Sequence, residues 1–447
     1  MAMEASNGVA VVMVPLPAQG HLNQLLHLTR IISTHRLPVH FTGATTHNRQ
    51  AKDRVHGWDP TTISNIYFHD FELPVIEPNV EDKSTYHLIP TFKAAAKFRE
   101  PLGVLIRSLS SSYKRVVVVH DSLMAFAAEE ASFVSNAEAY CFVPSSAFAV
   151  LHCIWEALGH PEEGILPQDV PHVSFGDPLR KGFSELIMKN HELMKFRSGD
   201  LYNTCEAIEG RFIDMVANFQ KDKRLWSVGP FNPIEINSEN DRRHHSLEWL
   251  DEQDPHSVLY VSFGTTISLS GDQIAELASG LERSKQKFIW VLRTADGVDG
   301  EAQVPNGFED RVKGVGMVVK DWAPQLEILA HKSTGGFFSH CGWNSTLESL
   351  SMGVPIAAWP INSDQPRIAL LITEILKVGL LVREWSRRED LISSEEIEGS
   401  IRTLMASSEG NVLRKRANEL GVDVRRAISD GGSSSSHLES FVAHISR

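Results

Sequence analysis

Val9 to Pro15 is apolar without interruption and rich in valine, the pattern of a strand buried on both faces of a parallel sheet. The run breaks at Pro17-Ala18-Gln19-Gly20. From His21 onward Leu22, Leu25, Leu26, Leu28 and Ile32 recur with a helical period. Apolar runs at Val39 to Thr42, Ile66 to His69, Arg115 to His120 and Glu138 to Val143 then alternate with helical stretches such as Thr91 to Leu109 and Ser122 to Phe133. Such alternation predicts an α/β fold with a parallel sheet and right-handed crossovers. The run Val116-Val117-Val118-Val119 reads as the central strand, and it delivers Asp121 to its carboxyl end. His21 also lies just beyond a strand's carboxyl end, the edge at which doubly wound folds bind ligands.

From Gly159 to Arg197 the period weakens amid Pro, Gly and mixed charge, which predicts surface loops and short helices walling a pocket. Regular structure resumes with Leu201 to Asn203, a helix over Glu206 to Phe219 and the run Leu225 to Val228. The stretch from Gly229-Pro230-Phe231-Asn232-Pro233 to Arg242-Arg243-His244-His245 has no period and many turn formers, which marks a linker. A second set of units follows, with strands over Val258 to Phe263, Lys287 to Leu292 and Gly335 to Ser339 and a helix over Asp272 to Arg283. The chain closes with helical patterns around Ser394 to Met405, Val412 to Ile428 and His437 to Ile445, the last preceded by Gly431-Gly432-Ser433-Ser434-Ser435-Ser436. The expected organisation is a first domain over 1–230, a linker over 231–246, a second domain over 247–430 and a terminal helix within 431–447, both domains being doubly wound parallel sheets.

Length agrees, since 447 residues exceed one ordinary core and suit two domains of roughly 200 residues each. A net charge of −13 argues against a nucleic-acid partner, so any anionic ligand must be held by local dipoles. Cys141, Cys153, Cys205 and Cys341 show neither CxxC spacing nor a dense framework, which suits buried free thiols in a reducing compartment. The apolar run Val9 to Val14 is too short for a signal peptide or a membrane span. These features predict a cytoplasmic enzyme that binds small molecules, inserts into no membrane and acts as a monomer. Asn344-Ser345-Thr346 is formally a glycosylation sequon, which without secretion stays unmodified.

The candidate chemistry concentrates between Trp322 and Gln365, where the chain reads WAPQLEILAHKSTGGFFSHCGWNSTLESLSMGVPIAAWPINSDQ. Gly335 to Ser339 is a strand, His340-Cys341-Gly342 a turn, and an amphipathic segment from Trp343 runs to Gly353-Val354-Pro355. A strand feeding a helix through a glycine turn aims backbone N–H groups at an anion. No P-loop and no GxGxxG fingerprint occurs, which argues against a nucleoside triphosphatase and a nicotinamide enzyme. The usual metal-ligand spacings are missing too: His340-Cys341 is an isolated pair and His244-His245 falls in the linker, so no metal requirement is expected.

This stretch resembles the plant secondary product glycosyltransferase box of family 1 UDP-glycosyltransferases, from its first Trp to its last Gln. The resemblance implies the GT-B architecture, two Rossmann-like domains facing across a cleft, with the last helix crossing back to the first domain. It also implies site roles. Trp322 stacks on uracil; the Ala323 backbone and Gln325 hold base and ribose; Glu348 binds the ribose hydroxyls. His340, Trp343, Asn344 and Ser345 cradle the diphosphate, Gly264 and Thr265 form a second phosphate loop, and Asp364 and Gln365 hold the sugar of the donor, UDP-glucose first and UDP-xylose second. Ser145 or its neighbour Ser146, following the Glu138 to Val143 strand, is expected to touch the donor sugar or phosphate from the N-terminal side, and Ser145 is put forward. Without the resemblance, Trp322 reads as a packing residue, Ser345-x-x-Glu348 as a capping box, and Asp364 as a helix cap.

His21 matches the family's catalytic base and Asp121 the acid that orients it. An alcohol needs a base at neutral pH, and imidazole suits that task. The plainer alternatives are a packed histidine and a helix N-cap at Asp121. Displacement from an α-linked donor would invert the anomer and give a β-glucoside, with no cofactor beyond the donor substrate.

Pro17 to Gln24, His120 to Met124, Gly229 to Pro233 and Ser284 to Arg293 are most similar to the zeatin O-glucosyltransferase group, which implies a cytokinin hydroxyl as acceptor. Flavonoid O- or C-glucosylation is the alternative. A UDP-sugar epimerase and a catalytically dead nucleotide-sugar-binding protein are the rivals from other classes. Acceptor walls are expected at Asn79 to Leu88, Phe148 to Trp155 and Ile187 to Phe196. Phe148, His152 and Trp155 share one helix face and form either an aromatic slot or ordinary core.

Overall fold

The structure, a computed structural model, describes residues 8–54, 58–72, 88–161, 165–171, 173, 175, 181–232, 243–264, 269–293 and 303–447. They divide into two compact units, one within Met1–Ala147, Leu179–Pro233 and Ala427–Arg447, the other within Phe148–Pro178 and Ile234–Arg426.

The first unit contains β1 (Val9–Val14), β2 (Val39–Ala44), β3 (Ile66–Phe71), β4 (Arg115–Asp121), β5 (Ala137–Val143), β6 (Gly199–Tyr202) and β7 (Arg224–Ser227). They form one parallel sheet in the order β3-β2-β1-β4-β5-β6-β7. Valines of β1 and β4 are buried throughout because helices cover both faces of the sheet. The helix Gln19–Thr34 turns Leu22, Leu25, Leu28 and Ile32 into a cluster with Phe41, Val117 and Val119. Strand order reverses between β1 and β4, whose registers run from Val9 against Arg115 to Val14 against His120. Their carboxyl ends therefore open side by side at the switch point.

Three local readings are corrected. The pattern over Thr91 to Leu109 is two helices, Leu88–Ala95 and Arg99–Ser110, joined by a 3₁₀ turn; Pro101 fits the first turn of the second, where its missing N–H costs nothing. The helix expected from Ser122 begins only at Phe126. The serine run, read as an interruption, is helical: Gly432 caps the helix Ser433–Ile445. That helix lies in the first unit, with the Phe441 ring 5.2 Å from Trp226 and 5.3 Å from Tyr140, and Ser227 N–H donating to His437.

The second unit contains β8 (Val258–Ser262), β9 (Lys287–Val291), β10 (Gly316–Val319), β11 (Thr334–Ser339), β12 (Ile356–Ala358) and β13 (Gly379–Leu381), parallel in the order β10-β9-β8-β11-β12-β13. β10, β12 and β13 are only three or four residues long, too short to show a period in the sequence. The order reverses between β8 and β11, a second switch point. Residues 148–178 group with this unit and not with the first half of the chain. Of the expected linker, 233–242 lie outside the described residues, and the helix His245–Asp251 has begun by its end.

Among the described residues, four buried histidines are held neutral. His40, His120, His152 and His340 each have the pKa pushed down to about 4, chiefly by burial. The unfolded chain binds these protons near pH 6.5 and the folded chain does not. Stability is therefore fully present above about pH 6.5 and falls as pH drops toward 4, by an order of 3 kcal/mol per fully buried histidine over the whole interval. Thermal unfolding followed between pH 7.5 and 4.5 should show a steepening loss below pH 6.5; a flat profile would contradict these environments.

Candidate active site

At the first switch point the His21 ring lies in the opening turn of the helix Gln19–Thr34, and its Nδ1 is 2.6 Å from Asp121 Oδ2. Asp121 is the last residue of β4, fully buried, while 23% of the His21 side chain is exposed. A carboxylate only accepts, so the imidazole donates from Nδ1 and presents Nε2 as the basic nitrogen. Asp121 is fixed on its other side: Oδ1 accepts Leu123 N–H at 2.9 Å and the carbonyl accepts Met124 N–H at 2.8 Å. Its N-cap reading falls, because the following helix begins only at Phe126 with Ala125 at the N-cap.

Asn190 clamps the loop that follows. Its Nδ2 donates to Ser122 carbonyl at 2.6 Å and its Oδ1 accepts Ala125 N–H at 2.9 Å. His120 is buried, donating from Nδ1 to the Asp121 carbonyl at 2.8 Å. Sequence reading passed over Asn190, which lies in the weakly patterned stretch with no local signal. Ser145 is half-buried between β5 and the helix Ala147–Ala157; its neighbour Ser146 is buried and donates to Glu209 at 2.5 Å.

The second switch point assembles the other candidates. Gly264 follows β8 with φ 76°, and a Cβ there would lie 2.9 Å from His340 Cε1, so only glycine fits beside that ring. Gly342 is equally confined: its Cβ would lie 2.5 Å from His340 Nε2. Thr265 lies outside the described residues. His340 follows β11 and is buried; burial pushes its pKa down to about 4 against an opposing hydrogen bond at the Ser262 backbone. Near neutral pH it is therefore a neutral imidazole.

The helix Trp343–Met352 starts immediately after, with Gly342 as N-cap and no side chain capping it. Trp343, Asn344 and Ser345 are its first three residues, so their N–H groups have no intrahelical acceptor. Because Ser345 is inside the helix and not at its cap, the capping-box reading of Ser345 and Glu348 falls. These side chains are joined instead through Gln325, whose Nε2 donates to Ser345 Oγ at 3.0 Å and to Glu348 Oε2 at 2.7 Å. Tyr260 on β8 donates to Gln325 Oε1 at 3.4 Å, a further member that an apolar strand pattern concealed. Trp322 is 41% exposed and meets His244 edge-on at 6.4 Å, while Ala323 beside it is buried.

Asp364 is the N-cap of the helix Gln365–Leu370 but makes no capping side-chain bond. Gln365 is buried; its Oε1 accepts Ile361 and Asn362 N–H at 2.9 and 3.0 Å, and its Nε2 donates to Asn362 Oδ1 at 2.9 Å. Phe148, His152 and Trp155, the expected slot or core stripe, are all buried, with His152 5.8 Å from Phe148 and 5.1 Å from Trp155, and Trp155 Nε1 donating to Pro161 carbonyl. Of the other expected acceptor walls, 79–87 lie outside the described residues.

A helix N-terminus that no side chain caps suits an anion such as a diphosphate. Known proteins agree with that chemistry. The family pattern described as glycosyltransferase, N-terminal domain, matches residues 7–233, and that of the UDP-glucuronosyl and UDP-glucosyl transferases matches 233–413. The chain belongs to the UDP-glycosyltransferases. This glycosyltransferase is 49% identical over 452 residues to a zeatin O-glucosyltransferase of Phaseolus lunatus, covering 98% of this chain and 97% of that one. It is 48% identical to a zeatin O-xylosyltransferase of Phaseolus vulgaris, with full coverage of both. Among solved structures it is similar to TcCGT1 in complex with UDP (TM-score 0.81, 30% identity, 98% and 99% of the two chains). It also resembles Medicago truncatula UGT71G1 with UDP-glucose (TM-score 0.79, 25% identity, 100% of both). Its two parallel-sheet α/β domains are those of the GT-B fold. Among the described residues, no helix of this glycosyltransferase is long and apolar enough to cross a membrane.

Proposed function

We propose that this enzyme transfers glucose from UDP-glucose to a hydroxyl of a zeatin-type cytokinin, with inversion and without a metal, giving a β-glucoside. The observation that carries the reading is the 2.6 Å hydrogen bond from His21 to buried Asp121 at a sheet switch point. The acceptor O–H proton passes to His21 Nε2 as its oxygen forms a bond to the anomeric carbon. The bond from that carbon to the diphosphate oxygen breaks, and UDP leaves with the electron pair. Asp121 stabilises the imidazolium that results.

In this reading uracil stacks on Trp322 beside the Ala323 backbone, and Glu348 and Gln325 hold the ribose. The diphosphate meets His340, the N–H groups of Trp343, Asn344 and Ser345, and the Gly264-Thr265 loop. The roughly half-charge of the helix N-terminus supplies the stabilisation a metal would otherwise give. Ser145, Asp364 and Gln365 take the sugar. The cytokinin assignment is supported by relatives named for zeatin at 44 to 49% identity, against 30 to 31% for those named for flavonols and anthocyanins. The four free thiols suit a cytoplasmic enzyme, which we take to be monomeric.

Xylose is the second donor reading, favoured by the relative named as a xylosyltransferase. Incubation with equimolar UDP-glucose and UDP-xylose and a panel of cytokinins and flavonoids, read by mass spectrometry, tests the assignment. A hexose adduct on zeatin is expected. A pentose adduct would reassign the donor, an adduct on flavonoids alone the acceptor, and UDP release without any adduct would remove the transferase reading of this substrate set.

A further inference from the structure

Residues 148–178 belong by position to the first half of the chain yet pack within the second unit. Glu156, on the helix Ala147–Ala157, pairs with Arg367 Nη2, and the two side chains are 12% and 4% exposed. The carboxylate also accepts Phe175 N–H at 2.7 Å, and Phe175 carbonyl accepts from Trp385 Nε1 at 2.9 Å. The Phe175 ring lies 5.7 Å from the guanidinium. His152, one turn earlier, has Nδ1 3.9 Å from Glu156 and is held neutral by burial and by Arg367. Glu156 is thus the anion that Arg367 engages in this cluster.

Arg367 is the third residue of the helix Gln365–Leu370, whose N-cap is Asp364. Residues three apart on a helix are neighbours, so spacing alone makes Arg367 and Asp364 ready partners. A buried guanidinium that loses its carboxylate must find another.

We propose that Glu156 is a positioning residue for the donor sugar: by engaging Arg367 it keeps that guanidinium off Asp364, leaving Asp364 and Gln365 oriented toward the hexose hydroxyls. The idea rests on the donor reading given above. It assigns a role in sugar recognition to a segment outside the signature stretch.

In the full-length enzyme, Glu156→Gln should raise KM for UDP-glucose about tenfold or more, while Kd for UDP, which has no hexose, stays within about twofold. The double variant Glu156→Gln/Arg367→Met removes both charges and should return KM to within about threefold of the unaltered enzyme, since no guanidinium remains to capture Asp364. A purely structural role would weaken UDP binding as well and leave the double variant no better. An unchanged KM in Glu156→Gln, or a double variant that is not rescued, overturns the proposal. Should the single variant fail to fold, the double variant decides: near-normal KM supports the proposal and a tenfold rise overturns it. The unaltered enzyme is measured first; UDP binding without turnover of UDP-glucose would overturn the donor reading, and this inference with it.

Discussion

His21→Ala should lower turnover by about 10² to 10⁴, the usual worth of a positioned general base, while UDP binds as before. The loss belongs to the chemical step because His21 sits at the first sheet's switch point, and the residues assigned to UDP belong to the second unit. Asp121→Asn should cost a comparable factor although it is nearly isosteric. Its amide would donate to Nδ1 and leave the proton on Nε2, the wrong tautomer for a base. Leu123 N–H holds the Asp121 side chain and the Asn190 clamp holds the backbone that follows at Ser122 and Ala125, so the asparagine inherits the same position and the defect is chemical. Steady-state kinetics with calorimetric UDP titration separates the two effects. Unaffected turnover in His21→Ala would remove it as the base, and lost UDP affinity in either variant would indicate damage to the fold.

Glu348→Ala should weaken UDP binding by about 100-fold or more, because two hydrogen bonds from the ribose hydroxyls to a carboxylate, each worth about 1.5 to 3 kcal/mol, are lost together. Gln325 reinforces the geometry by donating to the same carboxylate at 2.7 Å. The assignment is sharpened by 2′-deoxy-UDP. The unaltered enzyme should discriminate against it about tenfold, and Glu348→Ala should not discriminate at all. A variant that still prefers UDP to its deoxy analogue would place the ribose elsewhere.

Legibility in the sequence followed the range of the forces involved. The valine runs of β1 and β4 and the leucines of the first helix announce a buried parallel sheet, since burial on both faces leaves a local apolar signature. The same runs pointed to His21 and Asp121, because a strand's end is a position in sequence as well as in space. β10, β12 and β13 escaped for want of length. The helix start at Trp343, where the amphipathic pattern also begins, removes the capping-box reading of Ser345-x-x-Glu348, because it puts Ser345 inside the helix. Aromatic periodicity at Phe148, His152 and Trp155 is identical for a slot and for a core, and both readings are compatible with the burial of all three side chains. Asn190 and the Glu156–Arg367 pair left no trace, since a hydrogen bond between residues 65 or 211 positions apart has no spacing to read.

The central claim is that His21, oriented by Asp121, drives direct displacement of UDP by a cytokinin hydroxyl. Its most direct test is the anomeric configuration of the glucoside made from UDP-glucose and zeatin in the presence of EDTA, read by proton NMR. A β-glucoside with the large trans-diaxial coupling, formed at an undiminished rate, is the predicted result. An α-glucoside, or a reaction abolished by the chelator and restored by a divalent metal, would contradict it.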